Sequence, residues 1–164
     1  MIIVADTTPL NYLILIGVVD VLQPLYARII VPQAVAAELG GTGAPSVVRN
    51  WIAQPPVWLE VWPDPPADPT LEFLDRGENA ALTLAQVLNA DELLIDDQAG
   101  RAEAERRNLS VTGTLGVLAN AHLSNLLDFD RSLVLLRSTS FRLHPEVERL
   151  VRRRILPHKK EPPI

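Results

Sequence analysis

Five carboxylates stand where acid chemistry can be done: Asp6, Glu38, Glu78, Asp96 and Asp97. Asp96 and Asp97 follow directly on Leu93-Leu94-Ile95, an apolar run suited to a buried strand. Turn and helix-start residues flank it, Asn89-Ala90-Asp91 before and Gln98-Ala99-Gly100 after. In an open α/β sheet the C-terminal strand ends face the crevice where ligands bind, so the fold itself aims such a pair at a site. Side chains alternate along an extended backbone, so one of the two acids reaches a shared focus while the other is free to cap the next helix. Asp6 repeats the arrangement after Ile2-Ile3-Val4-Ala5. Glu38 lies at the border of the apolar face carrying Val35 and Leu39, and Glu78 lies in the first turn of a helix that begins near Gly77.

Carboxylates packed together raise one another's pKa, and a divalent cation is the simplest compensation. Oxygen-only donors favour a hard ion, Mg²⁺ or Mn²⁺. There is no cysteine, and His122, His144 and His158 show no ligand spacing. Water bound to such an ion is a natural nucleophile for a phosphodiester. Each residue also has a plainer reading: Asp6 as a helix cap, Glu38 as a solvated helix acid, Glu78 as a partner of the helix dipole, Asp96 as an N-cap. Arg101, one turn beyond the acids, is a candidate phosphate contact or a solvated arginine.

The elements that must position these residues alternate. Strands are expected over 2–5, 28–31, 57–62, 93–95 and 109–111. Helices are expected from Thr7 to Gly17, over 33–39, 45–53, 77–88 and 98–107, and after Thr114 as N-cap, with two more between Phe129 and Leu156. Prolines between Gln54 and Pro69 mark a surface connection, and Trp51, Trp58 and Trp62 read as packing or interface residues. The alternation predicts a three-layer α/β/α domain with a mainly parallel sheet of four to five strands.

With 164 residues, 48% of them hydrophobic, the chain can bury one core, and a single domain over 1–156 with a flexible tail over 157–164 is expected. The lack of cysteine fits a reducing compartment, and no apolar run approaches a membrane span, so a cytoplasmic protein without a membrane partner is expected. The formal charge of -5 looks unfavourable for nucleic acid. Arg142, Arg149, Arg152, Arg153, Arg154, Lys159 and Lys160 nonetheless crowd the end of the chain, so net charge does not decide the partner.

Taken in order, Val4-Ala5-Asp6-Thr7-Thr8-Pro9-Leu10, Pro32 to Glu38, Gly77-Glu78-Asn79-Ala80, Ile95-Asp96-Asp97 and Val111-Thr112-Gly113-Thr114-Leu115 resemble the PIN domain. That is the metal-dependent ribonuclease fold of many VapC-type toxins, and the likeness points to a branch of uncharacterised PIN-like bacterial and archaeal proteins. The resemblance implies that Asp6, Glu38, Glu78 and Asp97 form the acidic quartet holding one or two Mg²⁺ or Mn²⁺ ions. It makes Asp96 the extra acid of this branch, and Thr7 and Thr114 supporting hydroxyls. It further implies an RNA substrate, a homodimer and an antitoxin partner. The third acid is glutamate where many members carry aspartate, and Ile95 stands where most carry threonine; neither change removes a ligand.

Other chemistries fit less well. A haloacid-dehalogenase-like phosphatase needs a second aspartate where Thr8 stands, and a response-regulator receiver needs a late lysine, yet Lys159 and Lys160 are the only lysines. The remaining alternative is a catalytically inactive module of the same fold that binds a partner protein or RNA.

Overall fold

Five short runs pair into an all-parallel sheet: β1 (Ile3–Ala5), β2 (Ile29–Pro32), β3 (Leu59–Trp62), β4 (Glu92–Leu94) and β5 (Val111–Thr112), in the order β3-β2-β1-β4-β5. They belong to a computed structural model that describes residues 1–156. The expected tail, with His158, Lys159 and Lys160, lies outside the described residues. β1 and β2 are buried along their whole length, as strands covered on both faces must be. Nine helices flank the sheet among the described residues: α1 (Thr7–Leu15), α2 (Leu22–Tyr26), α3 (Gln33–Leu39), α4 (Ser46–Ala53), α5 (Arg76–Val87), α6 (Gln98–Arg106), α7 (Thr114–Leu123), α8 (Phe129–Arg137) and α9 (Pro145–Ile155). This is the α/β architecture that the sequence predicts.

The strand order locates the crevice. From β1 the chain moves to one side to lay down β2 and β3, then returns to place β4 and β5 on the other. The strands β1 and β4 are therefore neighbours at the point where the order reverses, which is where open α/β sheets bind ligands. Ala5 is in register with Leu94, so Asp6 and the residues after Leu94 leave the sheet at the same level.

Helix α5 packs across β1, β2 and β4, and α6 lies against α5 and β5. Helix α1 meets α3, α4 and α7, and α7 carries α8 and α9. Ile3, Leu10, Leu13, Ile30, Leu82, Leu93 and Phe129 are among the fully buried side chains of one continuous core. Trp58 is buried and packs on Trp51 at 5.9 Å between ring centroids, so that pair serves packing.

Some boundaries differ from expectation for local reasons. The last strand starts at Val111 rather than Leu109, because Asn108 turns left-handed (φ 63°) and the Leu109 N–H bonds back to Ala104 of α6. The third strand starts at Leu59 because the Leu59 N–H closes a turn onto Pro56. The cap of α7 is Gly113, not Thr114, which is the first helical residue.

Candidate functional site

Asp6 leaves β1 with its backbone N–H donating to the Leu94 carbonyl at 2.8 Å, which carries the β1–β4 pairing one residue past the strand. It occupies the cap position of α1 in an extended conformation, yet its side chain makes no capping bond. The plain reading of Asp6 as a helix cap therefore does not describe it. The residue is 2% exposed, and its Oδ1 has no hydrogen-bond partner among the described residues. Burial pushes the Asp6 pKa well above the ordinary carboxylate range; the Thr7 backbone N–H partly offsets this, and the negative charges of Glu78, Asp75 and Glu38 add to it.

Those three acids arrive from two helices. Glu38, near the end of α3, accepts a hydrogen bond from the Thr7 hydroxyl at 2.7 Å. It reaches the start of α5 because position 77 is glycine: a Cβ there would overlap the Glu38 carboxylate. At the same helix start, the Glu78 N–H donates to Asp75 at 2.8 Å, and the Asp75 N–H donates back to the Glu78 carboxylate at 3.1 Å. This capping box fixes the first turn of α5. Asn79 secures it from behind, its amide donating to the carbonyls of Asp68 and Leu71. Burial, with the charges of Asp75 and Asp97 in support, pushes the Glu78 pKa up to about 7 against the hydrogen bond from the Asp75 N–H.

The two acids after β4 have different tasks. Asp97 is the N-cap of α6, accepting from the Gly100 N–H at 2.8 Å, and its charge acts on Glu78. Asp96 gives its oxygens to Thr114, accepting from the N–H at 2.8 Å and from the hydroxyl at 2.6 Å, and so caps α7 from a neighbouring strand. Arg101 lies beside it: a Cβ at Gly113 would fall 2.6 Å from the guanidinium and 2.7 Å from the Asp96 carboxylate. Burial raises the Asp96 pKa, while Thr114 and then Arg101 oppose the rise.

Asp6, Glu38, Glu78 and Asp97 are thus linked through one field, Asp75 joins them, and Asp96 turns to Thr114 and Arg101. Sequence reasoning missed Asp75, although the Asp-x-x-Glu spacing before an apolar helix is the signature of its capping box. The donor set suits a hard cation, and the orphaned Asp6 oxygen is a free ligand atom. Among the described residues no three acids stand together as a preformed ligand group, and Glu38, Glu78 and Asp97 each hold an internal hydrogen bond. Two of the remaining side chains do structural work: His122 accepts from the Phe129 N–H, and Arg152 pairs with Asp130 and Glu148 over the Phe129 ring.

A strand-end acid in an all-parallel sheet of this order, with further acids on the next helices, defines a class, and residues 2–156 match its family model: the chain belongs to the PIN-domain family. Within that family the match is to the group termed DUF3368. A PilT N-terminus domain protein from the hyperthermophilic archaeon Sulfolobus solfataricus P2 is similar in structure, with a TM-score of 0.51 and 14% identity over 88% of this chain and 100% of that one. That likeness is one of fold. No curated protein matches the chain.

Proposed function

We propose that the chain is a ribonuclease that hydrolyses RNA phosphodiester bonds with Mg²⁺ or Mn²⁺. The observation that carries this reading is Asp6, a buried carboxylate at the strand-order reversal with an unpartnered oxygen and three acids whose charges oppose its ionisation. A group so placed costs stability unless a cation joins it. Asp6 and Asp97 are the principal ligands, one from each side of the crevice, and Glu38 and Glu78 complete the shell. The bound ion supplies Lewis acidity and a more acidic water. Glu78, which burial and neighbouring acids push up to about 7 before any ion binds, would complete the shell or orient the attacking water. Asp96, with its oxygens on Thr114, is a positioning residue, and Arg101 meets the phosphate.

The test is cleavage of a panel of structured and unstructured RNAs with Mn²⁺, with chelator, and with Asp6→Asn and Asp97→Ala. Cleavage by wild type alone, and only with metal, is the expected result. Wild-type cleavage rates in Asp6→Asn would remove that residue from the mechanism. The internal hydrogen bonds of Glu38, Glu78 and Asp97 favour one rival, a PIN module that binds a partner or RNA without metal; it predicts the same behaviour with and without chelator.

Within the same proposal the protein is the toxin of a toxin–antitoxin pair, acts in the cytoplasm and forms a homodimer. Exposed Val134 and Leu135 on α8 and Leu150 on α9 support an apolar contact between copies. Growth arrest on expression of wild type but not Asp6→Asn tests the first point, and mass in solution tests the last. No helix among the described residues is long and apolar enough to cross a membrane.

A further inference from the structure

Of the acids Asp6, Glu38, Glu78 and Asp97, three are placed by the start of their own element. Asp6 is tied to β4 through its backbone N–H, Glu78 by the capping box with Asp75, and Asp97 by the bond it accepts from the Gly100 N–H. Glu38 stands instead in the last turn of α3, a helix of seven residues whose cap position is Pro32, and Pro32 supplies no side-chain cap. Buried Ala34, Val35 and Leu39 press α3 onto the core. Apolar contact has no direction, so it does not by itself fix how far the helix slides along its axis or turns about it.

The missing cap comes from another part of the chain. Trp62 of β3 is in register with Pro32 of β2, so residue 64 leaves the sheet level with residue 34. Asp64 lies between Pro63 and Pro65, and the proline after it biases its backbone to extended geometry. Its Oδ1 accepts from the Ala34 N–H at 2.8 Å, a charge-assisted bond at a helix N-terminus. Its Oδ2 lies 3.6 Å from the guanidinium of Arg76 at the start of α5, but Arg76 is largely exposed, so that pair is weak. Ala34 and Glu38 are one turn apart, about 6 Å along the axis, and a slip at the first moves the second with it. The Glu38 carboxylate has little slack, because it sits between the Thr7 hydroxyl and the space that Gly77 leaves. We propose that Asp64 is a positioning residue for Glu38, holding α3 from the proline-rich segment after β3 so that the carboxylate one turn on meets the site. The inference rests on the ribonuclease reading and adds to it a residue outside the acids themselves. Its rival is an ordinary helix cap, which supports the fold and nothing more.

The experiment compares two aspartate caps in the full chain. Asp128 accepts from the Arg131 N–H at 2.9 Å at the start of α8, a helix that carries none of the site acids. Asp64→Ala and Asp128→Ala should both lower the melting temperature in chelator. Only Asp64→Ala should also weaken Mn²⁺ binding, about tenfold by calorimetry. Asp64→Asn keeps an oxygen for the Ala34 N–H and should bind Mn²⁺ as wild type does, and so should Arg76→Gln. Mn²⁺ affinity in Asp64→Ala no weaker than in Asp128→Ala overturns the proposal. An equal loss in Asp64→Asn does the same, because it puts the effect on charge rather than on the bond to α3. A second measurement needs no metal: the drop in melting temperature caused by Asp64→Ala should be smaller in a Glu38→Ala chain than in wild type, since the Thr7–Glu38 bond can be lost only once. Equal drops leave Asp64 a cap alone. Wild type that binds no Mn²⁺ and cuts no RNA defeats the ribonuclease reading, and the two drops then decide on Asp64 by themselves.

Discussion

At the C-terminal end of α6, Arg107 gathers Asp68 at 2.9 Å and Glu103 at 2.7 Å, with Gln86 and Thr70 completing its hydrogen bonds. At the N-terminal end of the same helix, Asp97 faces Glu78, which shares the field of Asp6 and Asp75, and among the described residues the charged groups that act most on Asp6 and Glu78 are all acids. The consequences are opposite. Hydrogen bonds from Thr70 and Arg107 hold Asp68 down to about 2, and Arg106 and Arg107 do the same for Glu103, also about 2. Burial and neighbouring negative charge instead push Glu78 up to about 7 and Asp6 well above its usual range. A carboxylate cluster built for architecture brings its own cation, and a cluster built to receive one is left short of positive charge.

The largest effect that sharpens this contrast is on activity. Asp6→Asn should lower Mn²⁺-dependent RNA cleavage by more than about a hundredfold, exceeding the 10–100-fold typical of outer-shell partners. In chelator the same variant should melt higher than wild type, because an acid whose ionisation burial and its neighbours oppose is replaced by a neutral amide. A melting point below wild type would mean that Asp6 supports the fold instead.

Next is Arg107→Met, which leaves Asp68 and Glu103 without their shared cation. It should lower the melting temperature by several degrees while cleavage at permissive temperature stays at the wild-type level. Loss of cleavage with an unchanged melting curve would show the two clusters to be coupled rather than separate.

Gly77→Ala comes third. The added Cβ displaces the Glu38 carboxylate, which is the flexible end of its side chain, so the fold should tolerate it. Cleavage should fall about tenfold, the scale attached to a disturbed outer shell, with little change in melting. Unchanged cleavage would remove Glu38 from the site.

The smallest effect is the pH dependence of stability without metal. Glu78 binds a proton more tightly folded than unfolded, so its contribution is fully present below about 4.5 and is lost as pH rises towards about 7. Asp68 and Glu103 work the other way: their contribution is present above the ordinary carboxylate range and is lost as pH falls towards about 2. Melting in chelator should therefore decline from mildly acidic to neutral pH, and the Glu78→Gln variant should flatten that decline. An equal slope in the variant would assign the decline to other groups.

Much of this was legible because it is local. A strand, an acid and a helix start lie within a few residues at Asp6 and again at Asp97, and the alternation of elements dictates a parallel sheet with both acids at its ligand end. What was not legible depends on contacts between distant residues. The sequence offers Asp96 as a cap for the helix beside it, but Asp97 caps α6 and Asp96 reaches across to Thr114 on α7. Glu38 is an ordinary helix acid until Gly77 lets it close on α5. Tyr12 and Phe141 meet across nearly the whole chain, and neither has a spacing that announces the contact. Proline density between Gln54 and Pro69 marks a connection without revealing that Asp64 there accepts the Ala34 N–H and so caps α3.

The most direct measurement is calorimetric titration of Mn²⁺ into wild type and Asp6→Asn in neutral buffer, where Glu78 is still partly protonated. The account predicts saturable binding by wild type, with protons released as the ion enters, and none by Asp6→Asn at an intact fold. Equal binding by both proteins, or no binding by a folded wild type, would contradict it.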